Sequence, residues 1–393
     1  MMMIRQLHSA FLASLFVLSL PASEALAENG VFPDKIVFGQ VAALEGPAQA
    51  LGQGMREGIL AAFGEANRTG GINGRKLELK SLDDGYEPEK TIEPTKKLIN
   101  EEKVFALVGA VGTPTSKAAQ PIATEAKVPF IGPFTGAEFL RNPYNRYVVN
   151  VRGSYYQETE AWVEHLTKDL GVSKIAILYQ DDAFGLAGLE GVKIALAKRN
   201  MSLVASGSFK RNTTAVKSAL LDIMKAGPQA VVTVGPYKPI AEFVKIARQQ
   251  KFDPIFVAIS FVGSDALARE LGGAGAGVVV SQVVPFPWDT SIPVVASYQA
   301  AMQAMNADSK PGFVSLEGYL AGRLVAEALK RMPEAPTREA FLDAVAKGSF
   351  DFGGVKLNYA ANKNQGMDEV FFTILQSDGL FRSVTRLLKT SWR

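Results

Sequence analysis

The sequence predicts an α/β protein of two similar lobes, each built around an open parallel sheet. Three observations predict it. Short β-rich runs alternate with amphipathic helical stretches from Lys35 onward, the alternation runs through once and then recurs, and matched strand starts keep a nearly constant interval: 36 to 174, 77 to 203, 105 to 230 and 128 to 255. Strands that alternate with helices of about 10–15 residues pair in parallel, with helices on both faces of the sheet. Intervals this long point to a repeated lobe and exclude a solenoid of short period.

In order, 36–41 reads as a strand, followed by a Gly/Pro/Ala loop. Met55, Ile59, Ala62, Phe63 and Ala66 then fall at helical spacing, closed by Gly70 and Gly71. Residues 77–82 alternate as a strand with one face buried, 88–100 is helical, and 105–108 is a strand. A helix over 116–126 leads to a strand over 128–131. In the second round 174–179 is a strand, 185–200 a helix, 203–205 a strand, 215–225 a helix and 230–234 a strand. A helix over 240–250 and a strand over 255–258 complete it. A strand over 278–283, helices over 292–305, 313–331 and 337–347, and β-rich runs over 355–357 and 370–375 follow. That tail is too small for a third domain and is expected to complete the two lobes. Ligands of open α/β lobes bind beyond the carboxyl ends of the strands, which here is the cleft between them.

The chain has 393 residues, 47% of them hydrophobic and 21% charged, with a formal net charge of +3. That is the composition of a globular protein with an ample core, not of a disordered or collagen-like chain. A charge this small, with no Lys/Arg run, leaves no footprint for nucleic acid. With no cysteine and only two histidines, thiolate zinc sites, iron–sulfur clusters, cysteine nucleophiles and lipidated cysteines are excluded, and no cofactor is expected.

Arg5 precedes an apolar run over 10–20, and Ala25-Leu26-Ala27 offers a small-x-small site before Glu28. This pattern predicts a secretory signal peptide over 1–27, cleaved after Ala27. The run is shorter than the roughly 20 residues a membrane span needs, and no later segment reaches that length. The expected location is a bacterial periplasm, with a soluble chain that is neither spanning nor lipidated.

Catalytic vocabulary is sparse. His165, the one histidine beyond the signal peptide, lies within a helical pattern over 155–170 and reads as a solvated or partly packed helix residue. There is no G-x-S-x-G elbow. Gly52, Gly54 and Gly58 are spaced one residue too long for a dinucleotide fingerprint, and 71–76 lacks the Ser/Thr of a phosphate loop. The carboxylate pairs Asp83-Asp84 and Asp181-Asp182 follow strands and read as turn and capping residues.

The strand ends carry a binding vocabulary instead. They present Leu44-Glu45-Gly46-Pro47, Gly112 to Ser116, and Gly132 to Gly136. In the second lobe they present Asp181 to Gly185, Gly235-Pro236-Tyr237, and Ser260-Phe261. Hydroxyls and free N–H groups at helix starts suit a carboxylate or amide, and the aromatic residues supply apolar walls. Each alone reads as turn chemistry; their recurrence at matched strand ends of both lobes gives them weight.

Several stretches then match one family in order along nearly the whole chain. They are Gly46-Pro47, LGQGMREG over 51–58, NRTGGING over 67–74, Asp83-Asp84, YQDDAFG over 179–185, AGPQAVV over 226–232 and GYLAG over 318–322. The chain resembles the type I periplasmic solute-binding proteins, in the branched-chain amino-acid-binding (Leu/Ile/Val) subgroup. The resemblance implies two lobes joined by three crossovers, capture of a small solute, and delivery to an inner-membrane ABC permease. The lobes are expected over 28–152 with 287–360, and over 153–286 with 361–393, in a monomer.

Carried over residue by residue, the family's ligand contacts fall on Thr113, with Thr115 close by. They fall also on Phe134 and Thr135, or Gly136 if the register shifts by one. Phe184, Tyr237 (or Pro236) and Phe313 take the aromatic positions; Leu51 and Phe261 complete the expected lining. The acid that pairs with a ligand's ammonium in amino-acid binders falls on Ser260, so an α-amino acid would need Glu45, Asp182 or Glu317 to supply that charge. The expected ligand is a carboxylate- or amide-bearing solute, amino-acid-like or aromatic. The alternative is a sensory receptor of the same fold that signals to a kinase or regulator; a hydrolase lacks the motifs.

Overall fold

The computed structural model describes residues 28–332 and 335–388. The expected signal peptide lies outside the described residues.

The first sheet is assembled from β1 (Lys35–Ala42), β2 (Lys76–Asp83), β3 (Leu107–Val108), β4 (Phe130–Ile131) and β5 (Val148–Val149). They are connected through α1 (Gln49–Arg68), α2 (Pro88–Asn100) and α3 (Thr113–Glu125). Its strand order is β2-β1-β3-β4-β5, and every pairing within it is parallel. β1 is buried along nearly its whole length, as a central strand covered on both faces must be. β2 lies at the edge and buries only Leu77 fully, so the one-faced alternation read there fits its place.

The second sheet begins after α4 (Tyr155–Leu170). A capping box between Ser154 and Gln157 starts this helix, and left-handed Gly171 ends it. The chain then runs β6 (Ile175–Gln180), α5 (Ala183–Ala197), β7 (Ala205–Phe209), α6 (Lys217–Lys225), β8 (Ala230–Val234), α7 (Tyr237–Gln249), β9 (Ile255–Ala258), α8 (Ser264–Leu271) and β10 (Val279–Gln282). Three helices, α9 (Pro293–Met305), α10 (Phe313–Lys330) and α11 (Arg338–Ala346), precede a hairpin of β11 (Ser349–Asp351) and β12 (Lys356–Asn358). The last strands are β13 (Phe371–Leu375) and β14 (Phe381–Val384). The order of this sheet is β14-β13-β10-β9-β8-β6-β7.

The chain's tail serves both lobes. α9 and α10 pack on α1 of the first lobe, while β13 and β14 extend the second sheet. A Cβ on Gly58 would stand 1.9 Å from the Ser315 carbonyl, and one on Gly318 would stand 2.4 Å from that of Met55. Glycine at both positions is what lets α1 and α10 meet backbone to backbone.

Three expectations need correction, and three elements went unread. β13 and β14 pair antiparallel, so the second sheet is mixed; a short turn joins them, whereas a parallel pair needs a crossover. The strand expected at 203–205 forms at Ala205–Phe209, an edge strand of small and polar residues that pairs with β6. The helix expected from 116 starts at Thr113, which moves that hydroxyl onto a helix N-terminus. β5, α8 and β14 went unread: the first has only two residues and too short a run to show a period.

Candidate functional site

The carboxyl ends of the two sheets face each other, and the side chains there meet across the cleft. Gly112, at φ 107°, precedes α3, and a Cβ there would fall 2.3 Å from the Tyr86 ring. The backbone therefore turns sharply enough to set Thr113 in the first turn of α3. Thr113 Oγ1 lies 2.7 Å from Thr135 Oγ1, and both residues are buried. The Tyr155 hydroxyl faces this pair but completes no hydrogen bond. Burial raises its pKa, which keeps it a donor.

Aromatic rings from both lobes close over these hydroxyls. Phe261 stands 5.2 Å from Phe134, 5.8 Å from Tyr86 and 4.6 Å from Phe184, and Phe184 stands 5.4 Å from Tyr155. Tilted contacts at these spacings are the favoured geometry for ring pairs. Phe184 is placed by Asp182, which caps α5 by accepting from the Phe184 N–H at 2.9 Å.

Behind the rings, where the chain first crosses between lobes, lies a buried charge cluster. Arg152 Nη2 donates to Glu158 Oε1 at 2.7 Å and also to the Ser260 hydroxyl. Glu158 accepts in addition from the Ser260 N–H (3.0 Å), the Ser260 hydroxyl (2.9 Å) and the Ser281 hydroxyl (2.5 Å). On the other side of Arg152, Glu317 of α10 approaches Nη1 to 3.6 Å, an ionic contact too long for a hydrogen bond. Arg152 Nε and Nη1 have no hydrogen-bond partner. The guanidinium lies 5.5 Å from the Phe134 ring and 5.6 Å from that of Tyr155, so it shares the cleft wall with them. Burial pushes the Glu317 carboxyl up to about 7; Arg152 pulls it down and Glu158 pushes it further up.

At the outer rim the edge strands β2 and β7 bring a different set together. Arg211 reaches Glu87 at 2.8 Å and Asp182 at 2.9 Å, and Asn212 donates to Glu87 at 2.7 Å and to the Gly85 carbonyl at 3.1 Å. Gln180 donates to the Tyr86 hydroxyl at 3.2 Å, again from one lobe to the other.

The residues named from the sequence divide accordingly. Thr113, Thr135, Phe134, Phe184, Ser260 and Phe261 lie together. Gly136 packs against the Tyr155 ring, where a Cβ would clash at 2.6 Å. Thr115 turns away, its hydroxyl bonded to the carbonyls of Val111 and Gly112. Glu45 stays on an exposed loop, its N–H held by Asp83. Tyr237 receives the Ala50 N–H from the first lobe at 3.4 Å. Leu51 abuts Gly263 nearby. Phe313 belongs to a separate aromatic group with Phe286, Trp288 and Phe381. A cavity of about 350 Å³ lies on that side of the cleft, lined from both lobes by Leu51, Gly263, Asp265, Gly312 and Ser315 among others.

Sequence reading missed Arg152, Tyr155, Glu158 and Tyr86. Its one usable signal was a lone arginine directly after an apolar run. The acidic pairs do what capping residues do: Asp84 accepts from the Tyr86 N–H and the Thr91 hydroxyl, and Asp83 from the N–H groups of Leu44 and Glu45. Burial pushes Asp84 up to about 6. His165 is a partly buried helix residue, 2.7 Å from Asp169. Among the described residues no cluster of three or more acidic or histidine side chains is placed to hold a metal ion, and no helix is long and apolar enough to cross a membrane.

The family model described as periplasmic binding protein matches residues 35–379. The chain belongs to the periplasmic binding proteins. Within them it falls among the type I proteins of the branched-chain amino-acid-binding subgroup. A Leu/Ile/Val-binding protein homolog 7 from Brucella suis is 23% identical over 345 residues, 84% of this chain and 82% of its own. A leucine-specific-binding protein from Salmonella typhimurium is 22% identical, across 82% of this chain and 86% of its own. Among solved structures, a possible leucine/isoleucine/valine-binding protein from Rhodopirellula baltica superposes with a TM-score of 0.86 at 37% identity. That match covers 92% of this chain and 98% of the other. The binding protein is thus a solute-binding protein and not an enzyme, and the cleft just described is its candidate solute site.

Proposed function

We propose that the protein is the periplasmic capture component of an ABC importer. It takes a small carboxylate- or amide-bearing solute with an apolar or aromatic body, and hands it to an inner-membrane permease. The observation that carries the solute class is the hydroxyl pair Thr113–Thr135 under a roof of rings drawn from both lobes. Hydroxyls can share in holding the polar end of such a solute, and the rings cover its body. The lobes, taken as 28–152 with 287–360 and 153–286 with 361–393, close because a solute touching both has contacts in the closed form that the open form lacks.

The test is thermal unfolding of residues 28–393 against leucine, phenylalanine, benzamide, benzoate and phenylacetate. A solute at about 1,000 times its Kd adds about 4 kcal/mol, which moves the midpoint by several degrees. A shift with aromatic carboxylates or amides supports the reading. A shift with leucine alone keeps the carboxylate and the apolar body but removes the aromatic one, and no shift with any of them contradicts the solute class.

A further inference from the structure

The charge cluster holds more unpaired donors than acceptors. Arg152 is fully buried, with Nε and Nη1 unpaired, and the Tyr155 hydroxyl beside it is unpaired as well. Leaving a buried N–H without a partner costs the hydration it gave up, and more on a charged group. Against these donors stands a single loosely held acceptor, Glu317. An ammonium brings further N–H donors, whereas the Ser260 hydroxyl already accepts from Arg152 and donates to Glu158. A carboxylate brings acceptors only, so it is the complement this wall lacks.

Glu158 and Glu317 hold Arg152 in different ways. Glu158 is fixed by hydrogen bonds from Arg152, Ser260 and Ser281. Glu317 makes only the 3.6 Å ionic contact, so Glu317 is the partner an incoming carboxylate can displace. The charged groups acting on Glu317 are Arg152 on the crossover, Glu158 on α4 and Arg141 from the preceding turn. Arg141 is tied to the carbonyls of Ala137, Arg152 and Gly153 and to Gln365, so it has little freedom to follow a charge change. A second carboxylate on Arg152 leaves Glu317 uncompensated, and burial already favours its neutral form.

We propose that Arg152 anchors the carboxylate of the solute, that this carboxylate displaces Glu317, and that Glu317 takes up one proton from solvent as it loses its partner. The ligand is then a monocarboxylate without an ammonium group. The inference rests on the solute-binding reading above and sharpens it.

Calorimetric titration of residues 28–393 with benzoate, phenylacetate, leucine and phenylalanine tests this at pH 6 and pH 8. Each titration is run in two buffers of different ionisation heat. With Glu317 at about 7, affinity for the aromatic acids is expected to fall about tenfold from pH 6 to pH 8, with nearly one proton taken up at the higher pH. In Glu317→Gln both the pH dependence and the buffer-dependent heat vanish, and the aromatic acids bind at pH 8 as tightly as they bind wild type at pH 6. Arg152→Lys keeps a cation beside Glu158, so it folds while weakening the aromatic acids at least tenfold. Weaker binding in Glu317→Gln, above all of an amino acid, overturns the proposal by showing that Glu317 receives an ammonium. Binding of aromatic acids that ignores both pH and Arg152→Lys overturns the anchor but leaves the solute reading intact. If none of the four compounds binds wild type, both fall.

Discussion

At the crossover end of the cleft, Arg152 and Glu158 meet with side chains wholly removed from solvent, whereas at the outer rim Arg211 and Glu87 meet with side chains 19% and 31% exposed. Arg152 and Glu158 lie 6 residues apart at the first crossover, Arg211 and Glu87 join the two sheets at their edge strands, and their partner distances are nearly equal. Burial separates them. Water and salt screen the rim pair, so it contributes little and gives way cheaply. The buried pair offsets its own desolvation only while every partner is in place, so removing one partner is costly. The comparison teaches that equal distances carry unequal energies: the crossover pair tolerates the loss of a partner poorly, and the rim pair tolerates it well.

The largest expected effect comes from stripping the buried pair. Glu158→Ala leaves Arg152 with only the long contact to Glu317 and should destabilise the protein by about 3–5 kcal/mol, read as a lower urea midpoint. A loss below about 1 kcal/mol would place this pair with ordinary surface pairs.

Next in size is the ring cluster between the two charge sites. Phe184→Ala should cost about 1.5–3 kcal/mol of solute affinity through lost apolar contact. An unchanged affinity by calorimetry would remove Phe184 from the solute's surroundings.

A smaller effect separates the two ends by pH. Glu317 sits at about 7, above the ordinary glutamate value, so the folded protein keeps a proton that the unfolded chain releases. Its stabilising effect is complete at acid pH and is lost as pH rises through 7. Stability should therefore drop by about 1 kcal/mol from pH 6 to pH 8. Asp84 and Asp265, both pushed by burial up to about 6, carry the lower part of the same slope. Glu317→Gln should flatten the upper part in a thermal series; a slope unchanged in that variant would assign it to other groups.

The smallest effect belongs to the rim. Arg211→Ala should favour the open form by about 0.2–1 kcal/mol. Added salt should shrink the difference between variant and wild type, measured as solute affinity. An effect of several kcal/mol, indifferent to salt, would erase the distinction between the two ends.

How much of this was legible depends on what each residue's signal rests on. β1, β6, β8 and β9 were readable because central parallel strands are apolar on both faces and show as continuous β-branched runs. β7 was misplaced because an edge strand of small polar residues carries little such signal. Thr113, Phe134, Thr135, Phe184 and Phe261 were readable because they follow strands, and a parallel sheet commits its carboxyl ends to one side. Phe313 follows no strand, and the structure sends it to a different aromatic group. Arg152 and Glu158 sit on a crossover and a helix, where nothing local says which surface faces the cleft.

The sequence by itself determined the alternation of strand and helix, its repetition, and the hydroxyl and aromatic residues placed at the strand ends. Those depend on neighbours a few positions apart, and periodicity records them. Only the tertiary structure decided that Arg152 stands between Glu158, 6 residues away, and Ser260, 108 residues away, with Glu317 3.6 Å from its Nη1. Which charges lose their water together depends on how the lobes close, and burial, not residue type, fixes what those charges cost and which ligand charge they can accept.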